Sequence, residues 1–375
     1  MQDHPPEPTQ RAHWHARLSQ AWLRRGWLAR LLWPISLFYG ALARMRFLAY
    51  RRGWLASTHL PVPVIVVGNV VVGGAGKTPT VIAVVQHLMR QGHRPGVVSR
   101  GHGRTSIRAG EPLPDVLAVL PGTPPQASGD EPALIQQATG VPVFVGRSRA
   151  DTGRALLAAH PDTTVLVCDD GLQHMALHAD VAVAVFDERG VGNGWLLPAG
   201  LLREPWPQPV GRRVDMVLHA QASHAGSNRL PTPDAVPCFS ALRQLAVHAT
   251  ALDGSTVPLD ALPRQGLTAL AGIAKPQAFF DMLSVAEVSI SHRLPLADHQ
   301  DFDVWINSKE FNIIKRQGIV CTEKDAVKLF PLLRSASNPN VPMLAWSVPL
   351  VFTPEPAFFD MLDEKLSSAH GHQTA

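Results

Sequence analysis

Residues 73–78 read Gly-Gly-Ala-Gly-Lys-Thr, and Pro79 follows. Glycines let a backbone wrap closely around a phosphate and turn its N–H groups inward. Lys77 has the reach to touch the outer phosphates of a nucleotide, and Thr78 has the hydroxyl that ligates magnesium. Pro79 suits the first turn of a helix, whose N-terminal partial positive charge favours an anion. The strict GxxxxGK[ST] spacing calls for glycine at position 71, where this chain has Val71. The loop is therefore the GGxGKT variant, with Gly73, Gly74, Ala75, Gly76, Lys77 and Thr78 expected on ATP. Phosphoryl transfer or hydrolysis also needs a carboxylate directed at magnesium from a neighbouring strand. Asp169 and Asp170 close the apolar run 164–168 and supply it. Ser128-Gly129-Asp130-Glu131-Pro132 offers Asp130 as a proton acceptor for an attacking hydroxyl, or as a helix cap. His174 and His178 have i, i+4 spacing, but Met175 stands where a zinc-binding HExxH helix has glutamate, so zinc is not expected.

These residues need a scaffold. Apolar, β-branched runs at 62–67, 96–99, 141–145, 164–168, 181–186 and 214–218 alternate with helical stretches such as 79–90. Continuous Val/Ile runs with helices between them indicate a parallel sheet covered on both faces. The fold class expected is α/β: a P-loop NTPase-like domain over 59–221 and a smaller α/β domain over 222–375. In the second unit, strands are expected at 267–270, 287–291, 319–321 and 343–346, and helices at 276–283, 308–317 and 356–366. Residues 103–129 are rich in Gly, Pro and Ser and read as a long loop, of a kind that is often functional.

The first 58 residues differ. Residues 1–110 hold fourteen arginines and Lys77 against Asp3 and Glu7 within a chain of net charge +4, so the remainder is net acidic. Residues 11–54 include Trp14, Trp22, Trp27, Trp33 and Trp54. Trp14, Leu18 and Trp22 fall on one helical face. Arginine beside tryptophan and leucine suits an amphipathic helix lying in the lipid headgroup layer. The uncharged run 31–43 is too short to span a bilayer. An anionic membrane surface is thus the expected partner; no nucleic-acid-binding motif accompanies the basic block. The three scattered cysteines, Cys168, Cys238 and Cys321, make no disulfide framework.

Taken in order, VGNVVVGGAGKTP, VVSRGHGR, SGDEP, VCDDGLQH, LPAGLLREP, AGIAKPQAFF, ADHQDF and CTEKDAVKL resemble the tetraacyldisaccharide 4'-kinases, the lipid A 4'-kinases of Gram-negative bacteria. The resemblance runs from about Pro61 to Leu329. It implies that ATP and Mg2+ phosphorylate the 4'-hydroxyl of a tetraacyl glucosamine disaccharide 1-phosphate, giving lipid IVA. It also implies a peripheral or monotopic enzyme on the cytoplasmic face of the inner membrane, with no obligate protein partner. The active site would lie between two α/β domains, with Asp130 and His299 as a catalytic dyad beside Lys77, and Thr78, Asp169 and Asp170 on the metal. Asn69, Arg100, Gln173, His174 and Arg203, all inside these motifs, are the expected substrate contacts, with Lys275 and Lys324 as further cations. Position 102 is His where the family usually has tyrosine, and position 300 is Gln where a second histidine is common. The rival reading is a membrane-associated P-loop ATPase switch, for which Asp130 and His299 would be dispensable.

Overall fold

The computed structural model describes residues 21–74, 76–105, 113–208, 214–222, 236–264, 266–273, 275–297, 302–308, 311, 314, 317–336 and 343–373. Trp14, Leu18, Ala75 and His299 lie outside them. A long helix, α1 (Trp27–Arg51), precedes the first strand, β1 (Val64–Gly68). Then come α2 (Lys77–Arg90), β2 (Pro95–Ser99), β3 (Val116–Val119), the single turn α3 (Pro125–Ser128), α4 (Asp130–Thr139), β4 (Val143–Gly146), α5 (Arg149–Ala159), β5 (Val165–Asp169) and β6 (Val181–Phe186). The chain continues through β7 (Met216–Ala222), β8 (Cys238–Leu245), β9 (His248–Ala251), β10 (Thr256–Pro258), β11 (Leu267–Ala271), α6 (Pro276–Val285) and β12 (His292–Pro295). It closes with α7 (Phe302–Trp305), β13 (Gly318–Thr322), α8 (Glu323–Ala336), β14 (Ala345–Val348), β15 (Leu350–Pro354) and α9 (Pro356–Gln373).

Two sheets organise these elements. The larger has nine strands in the order β15-β8-β7-β6-β1-β5-β2-β4-β3, parallel from β8 to β4, with antiparallel edges at β15 and β3. Its centre is dry: every residue of β1, β2, β5 and β6 is buried, as continuous apolar strands require when helices cover both faces. The smaller sheet runs β10-β9-β14-β13-β11-β12, with a parallel centre and an antiparallel β9–β10 flank.

The division of the chain differs from the expected 59–221 and 222–375. β8 and β15 belong to the larger sheet. Phe358, Leu362 and Leu366 of α9 pack into that sheet's core. The chain thus enters the smaller sheet after β8, leaves it before β15, and ends on the first unit. The two crossings lie side by side, with Ala246 N–H donating to Pro349 O at 2.9 Å. The stretch expected as loop over 103–129 contains β3 and α3. The strand expected at 287–291 begins instead at His292; Glu287 takes a left-handed φ of 55°, which ends α6 and breaks the extended run. Most of the helix expected over 308–317 lies outside the described residues.

Helix α1 has two characters. One side is seated: Ala29, Ser36 and Phe47 are buried, and Tyr39 Oη donates to Arg203 O at 2.7 Å. Gly40 permits that approach, because a Cβ there would meet the Leu196 side chain at 2.7 Å. The other side bears Trp27, Leu31, Ile35, Phe38, Leu42 and Met45, all exposed and spaced three or four residues apart, so they form one stripe. No helix among the described residues is long and apolar enough to cross a membrane.

Candidate active site

The phosphate loop joins β1 to α2. Gly73 and Gly76 take φ of 90° and 87°, values that a side chain rarely tolerates. Asn69 is fully buried. Its Nδ2 donates to Gly73 O at 3.1 Å, and its Oδ1 accepts from Lys77 Nζ at 3.3 Å. Asn69, expected as a substrate contact, thus braces the loop from behind. Gln173 has a similar place: its Nε2 donates to Asn69 O at 3.0 Å and to Glu204 Oε1 at 2.7 Å. Gly73, Gly74, Gly76, Lys77 and Thr78 line a cavity of about 410 Å³. Its opposite wall comes from the smaller-sheet unit, where Ile273, Phe279, Met282 and Val348 are apolar. A polar, glycine-rich floor facing an apolar wall has room for a nucleotide's phosphates and its base.

The two adjacent aspartates occupy different environments. Asp169 ends β5 and is enclosed. Ser99 Oγ donates to its Oδ2 at 2.8 Å, while Oδ1 has no hydrogen-bond partner. Burial, then the charge of Glu131, outweigh the attraction of Lys77 and push its carboxyl up to about 7. Asp170 has a left-handed φ of 51° and lines the cavity. Burial alone would raise its pKa, but Lys77 Nζ at 3.4 Å and Arg203 Nη1 at 3.3 Å hold it below the usual range. Arg149 fixes the turn between them: its Nη2 donates to Asp169 O at 3.2 Å and Asp170 O at 3.4 Å.

Asp130 is the first residue of α4 and is buried. It lines a second, smaller cavity of about 170 Å³ with His102, Phe302, Asp303 and Lys328. Glu131, next in sequence, lines the larger cavity. The start of α4 therefore stands between the two. Lys328 Nζ, from α8 of the other unit, lies 2.8 Å from Asp130 Oδ2. The expected partner His299 is outside the described residues.

Arg203 lines the larger cavity, and Arg100 is exposed at the end of β2. His174 is half-buried; burial first, then the charges of Arg149, Arg46 and Arg100, lower its pKa to about 4. Lys324 lines the larger cavity, as does Lys275, which pairs at 2.7 Å with both Asp187 and Glu188. His178 stacks on His59 with ring centroids 4.0 Å apart. Among the described residues no group of three or more His, Cys, Asp or Glu could enclose a metal by itself. The sequence reading missed Glu131, Arg149, Glu204 and Lys328. Glu131, Glu204 and Lys328 stood inside quoted motifs and Arg149 stood in none, but only neighbours in space give each a role.

The phosphate loop, Asp170 and the α4 start face one cleft between two sheets. The family model described as tetraacyldisaccharide-1-P 4'-kinase matches residues 28–367. A protein of Polaromonas naphthalenivorans named tetraacyldisaccharide 4'-kinase is 52% identical over 364 residues, covering 95% of this chain and 98% of its own. One of the same name from Acidovorax ebreus is 50% identical over 358 residues, covering 95% and 96%. The crystal structure of LpxK from Aquifex aeolicus in complex with ATP is similar with a TM-score of 0.72 and 25% identity, covering 90% of this chain and 99% of that one. With a match over nearly its whole length and relatives at half identity, this chain belongs to the tetraacyldisaccharide-1-P 4'-kinase family.

Proposed function

We propose that this protein transfers the γ-phosphoryl group of ATP to the 4'-hydroxyl of a tetraacylated glucosamine disaccharide 1-phosphate. The observation that carries the reading is the start of α4. Asp130 faces the smaller cavity while Glu131 faces the phosphate-loop cavity, so an acceptor hydroxyl beside Asp130 can address a nucleotide beside Lys77. Asp130 takes the hydroxyl proton as general base. Lys77 and the loop N–H groups hold the β and γ phosphates in line. Asp170 and Arg203 hold Lys77 and the loop's rim in register.

A magnesium ion fits the donor set. The enclosed Asp169 Oδ1 has no hydrogen-bond partner, and Lys77 and Arg203 both pair with Asp170 rather than with it. A magnesium ion needs few protein ligands, since it keeps several waters and uses substrate phosphates. Thr78 and one or both of Asp169 and Asp170 would hold it, and it would neutralise charge on the phosphates. We assign Arg100, His174 and Arg203 to the anionic part of the substrate. The stripe on α1, flanked by Arg24, Arg25, Arg30, Arg44 and Arg46, is assigned to an anionic membrane surface, with the enzyme peripheral or monotopic on the cytoplasmic face of the inner membrane. A substrate with several acyl chains stays in the bilayer, because each CH₂ withdrawn costs about 0.8 kcal/mol.

The test is transfer of label from γ-labelled ATP to the disaccharide 1-phosphate in mixed micelles, comparing wild type with Lys77→Ala. Labelled lipid is expected with wild type, and a loss of at least about 10²-fold with the variant. Lysine-dependent release of phosphate without labelled lipid would instead support an ATPase switch.

A further inference from the structure

The smaller cavity is built from both halves of the molecule. Its floor is the start of α4; its far side is α7 and the middle of α8. Asp130 and Lys328 meet there at 2.8 Å, with side chains only 9% and 11% exposed. The ammonium group is fixed from a second direction, 5.7 Å from the centre of the Phe302 ring. Lys328 is absent from the lining of the phosphate-loop cavity, so its charge is directed at Asp130 and not at the nucleotide's phosphates.

We infer that Lys328 is a positioning residue for phosphoryl transfer, clamping the Asp130 carboxylate from across the cleft so that it meets the acceptor hydroxyl in its ionised form. This rests on the assignment of Asp130 as general base. The physical need is specific. Asp130 is a buried carboxylate, and burial favours the protonated acid, which cannot accept a proton. The α4 N-terminus offsets part of that cost, and a cation in contact offsets more. Because Lys328 comes from the smaller-sheet unit, the base is completed only when the two units are apposed.

Other charges face the pair. Asp303 of α7 and His102 after β2 line the same cavity. Glu131 follows on α4. On α8 itself, Lys324 lies one turn earlier, and Asp325 is buried, bonded to Thr322 Oγ1 at 2.6 Å and Gly272 N at 3.1 Å. Asp303 and Glu131 add negative charge around Asp130, which makes the ammonium group more necessary.

The experiment measures kcat and KM for ATP against pH, from 5 to 9, in wild type, Lys328→Met, Lys328→Arg and Asp130→Asn, with folding followed by circular dichroism. The expected result is an acidic limb of the kcat profile moved up by about one to three pH units in Lys328→Met. In Lys328→Arg the limb should stay at its wild-type position, and KM for ATP should change less than about threefold in both. A wild-type limb in Lys328→Met overturns the inference. If Lys328→Met does not fold, Lys328→Gln, which keeps a donor but not the charge, carries the same two outcomes. Near-normal turnover in Asp130→Asn would remove the base assignment itself, and so is distinct from a failure of Lys328 alone.

Discussion

At the scale of single residues, charge environment decides what each side chain can do. His174 shows this. Burial and three arginines, Arg149, Arg46 and Arg100, push it down to about 4, so at neutral pH it presents an uncharged imidazole inside a cationic cluster. The sign follows. Its folded pKa is depressed below the ordinary histidine value of 6.5. The stability linked to it is complete above pH 6.5 and declines as pH falls toward 4. We expect the His174 ring resonances in NMR to titrate near pH 4 in wild type and at higher pH in Arg100→Gln. A midpoint near 6.5 in wild type would remove the cluster. That Lys77, Thr78 and Asp170 share one cavity was legible from sequence, because contiguous residues carry the motifs they stand in. Asn69 and Gln173 were picked out, but their bonds behind the loop were not legible: whether an amide braces a loop depends on packing that spacing does not encode. Lys328 stood inside the CTEKDAVKL motif, but its pairing with Asp130 was not legible, since that partner comes from a different unit.

At the scale of elements, local patterning and long-range pairing give different returns. The central strands were readable because unbroken Val/Ile runs have no other stable use in an α/β fold. β8 and β15 were not assigned to the larger sheet. Both are partly exposed, and their membership comes from long-range pairing, β8 with β7 and β15 with β8, Leu350 to Leu245 through Pro354 to Ala241. An amphipathic helix was expected in the N-terminal segment with its face at Trp14, Leu18 and Trp22, which precede α1; the structure shows which side of α1 is spare. Its seated side reaches Arg203 through Tyr39, so a membrane-bound α1 would hold the cleft at the bilayer. Leu31→Glu with Phe38→Glu should weaken binding to anionic vesicles by at least about tenfold, since two buried apolar side chains are worth roughly 3 kcal/mol or more. Sedimentation with vesicles reads this. Turnover of detergent-dispersed substrate should be nearly unchanged, because neither side chain faces the cavities. Unchanged vesicle binding would leave the stripe without its assigned partner.

At the scale of the whole molecule, the two crossings between sheets form a narrow connection, and ion pairs tie the units across it. Asp187 ends its strand region fully buried, held by Arg189 Nε at 2.9 Å and by Lys275 Nζ at 2.7 Å. Glu188 takes Lys275 at 2.7 Å and Arg243 Nη2 at 2.8 Å. Lys275 belongs to the smaller-sheet unit, and the Arg189 guanidinium is within 3.1 Å of where a Gly73 Cβ would stand. The tie therefore abuts the phosphate loop, and opening it would loosen the floor on which ATP binds. Burial opposes the charge on Asp187, yet Arg189 and Lys275 together hold its carboxyl below the usual range. A depressed carboxyl contributes stability above its unfolded pKa, near 3.8, and loses it as pH falls through the folded value. Lys275→Met should therefore cost about 1–2 kcal/mol at pH 7, less than a fully buried pair because Lys275 is a quarter exposed. Below about pH 4 the difference between the proteins should shrink as Asp187 protonates in both. Urea midpoints followed by tryptophan fluorescence at pH 7 and through a pH series falling below the unfolded value test both arms. A cost that persists undiminished in acid would show that Lys275 acts through packing, and the electrostatic tie between the units would have to be abandoned.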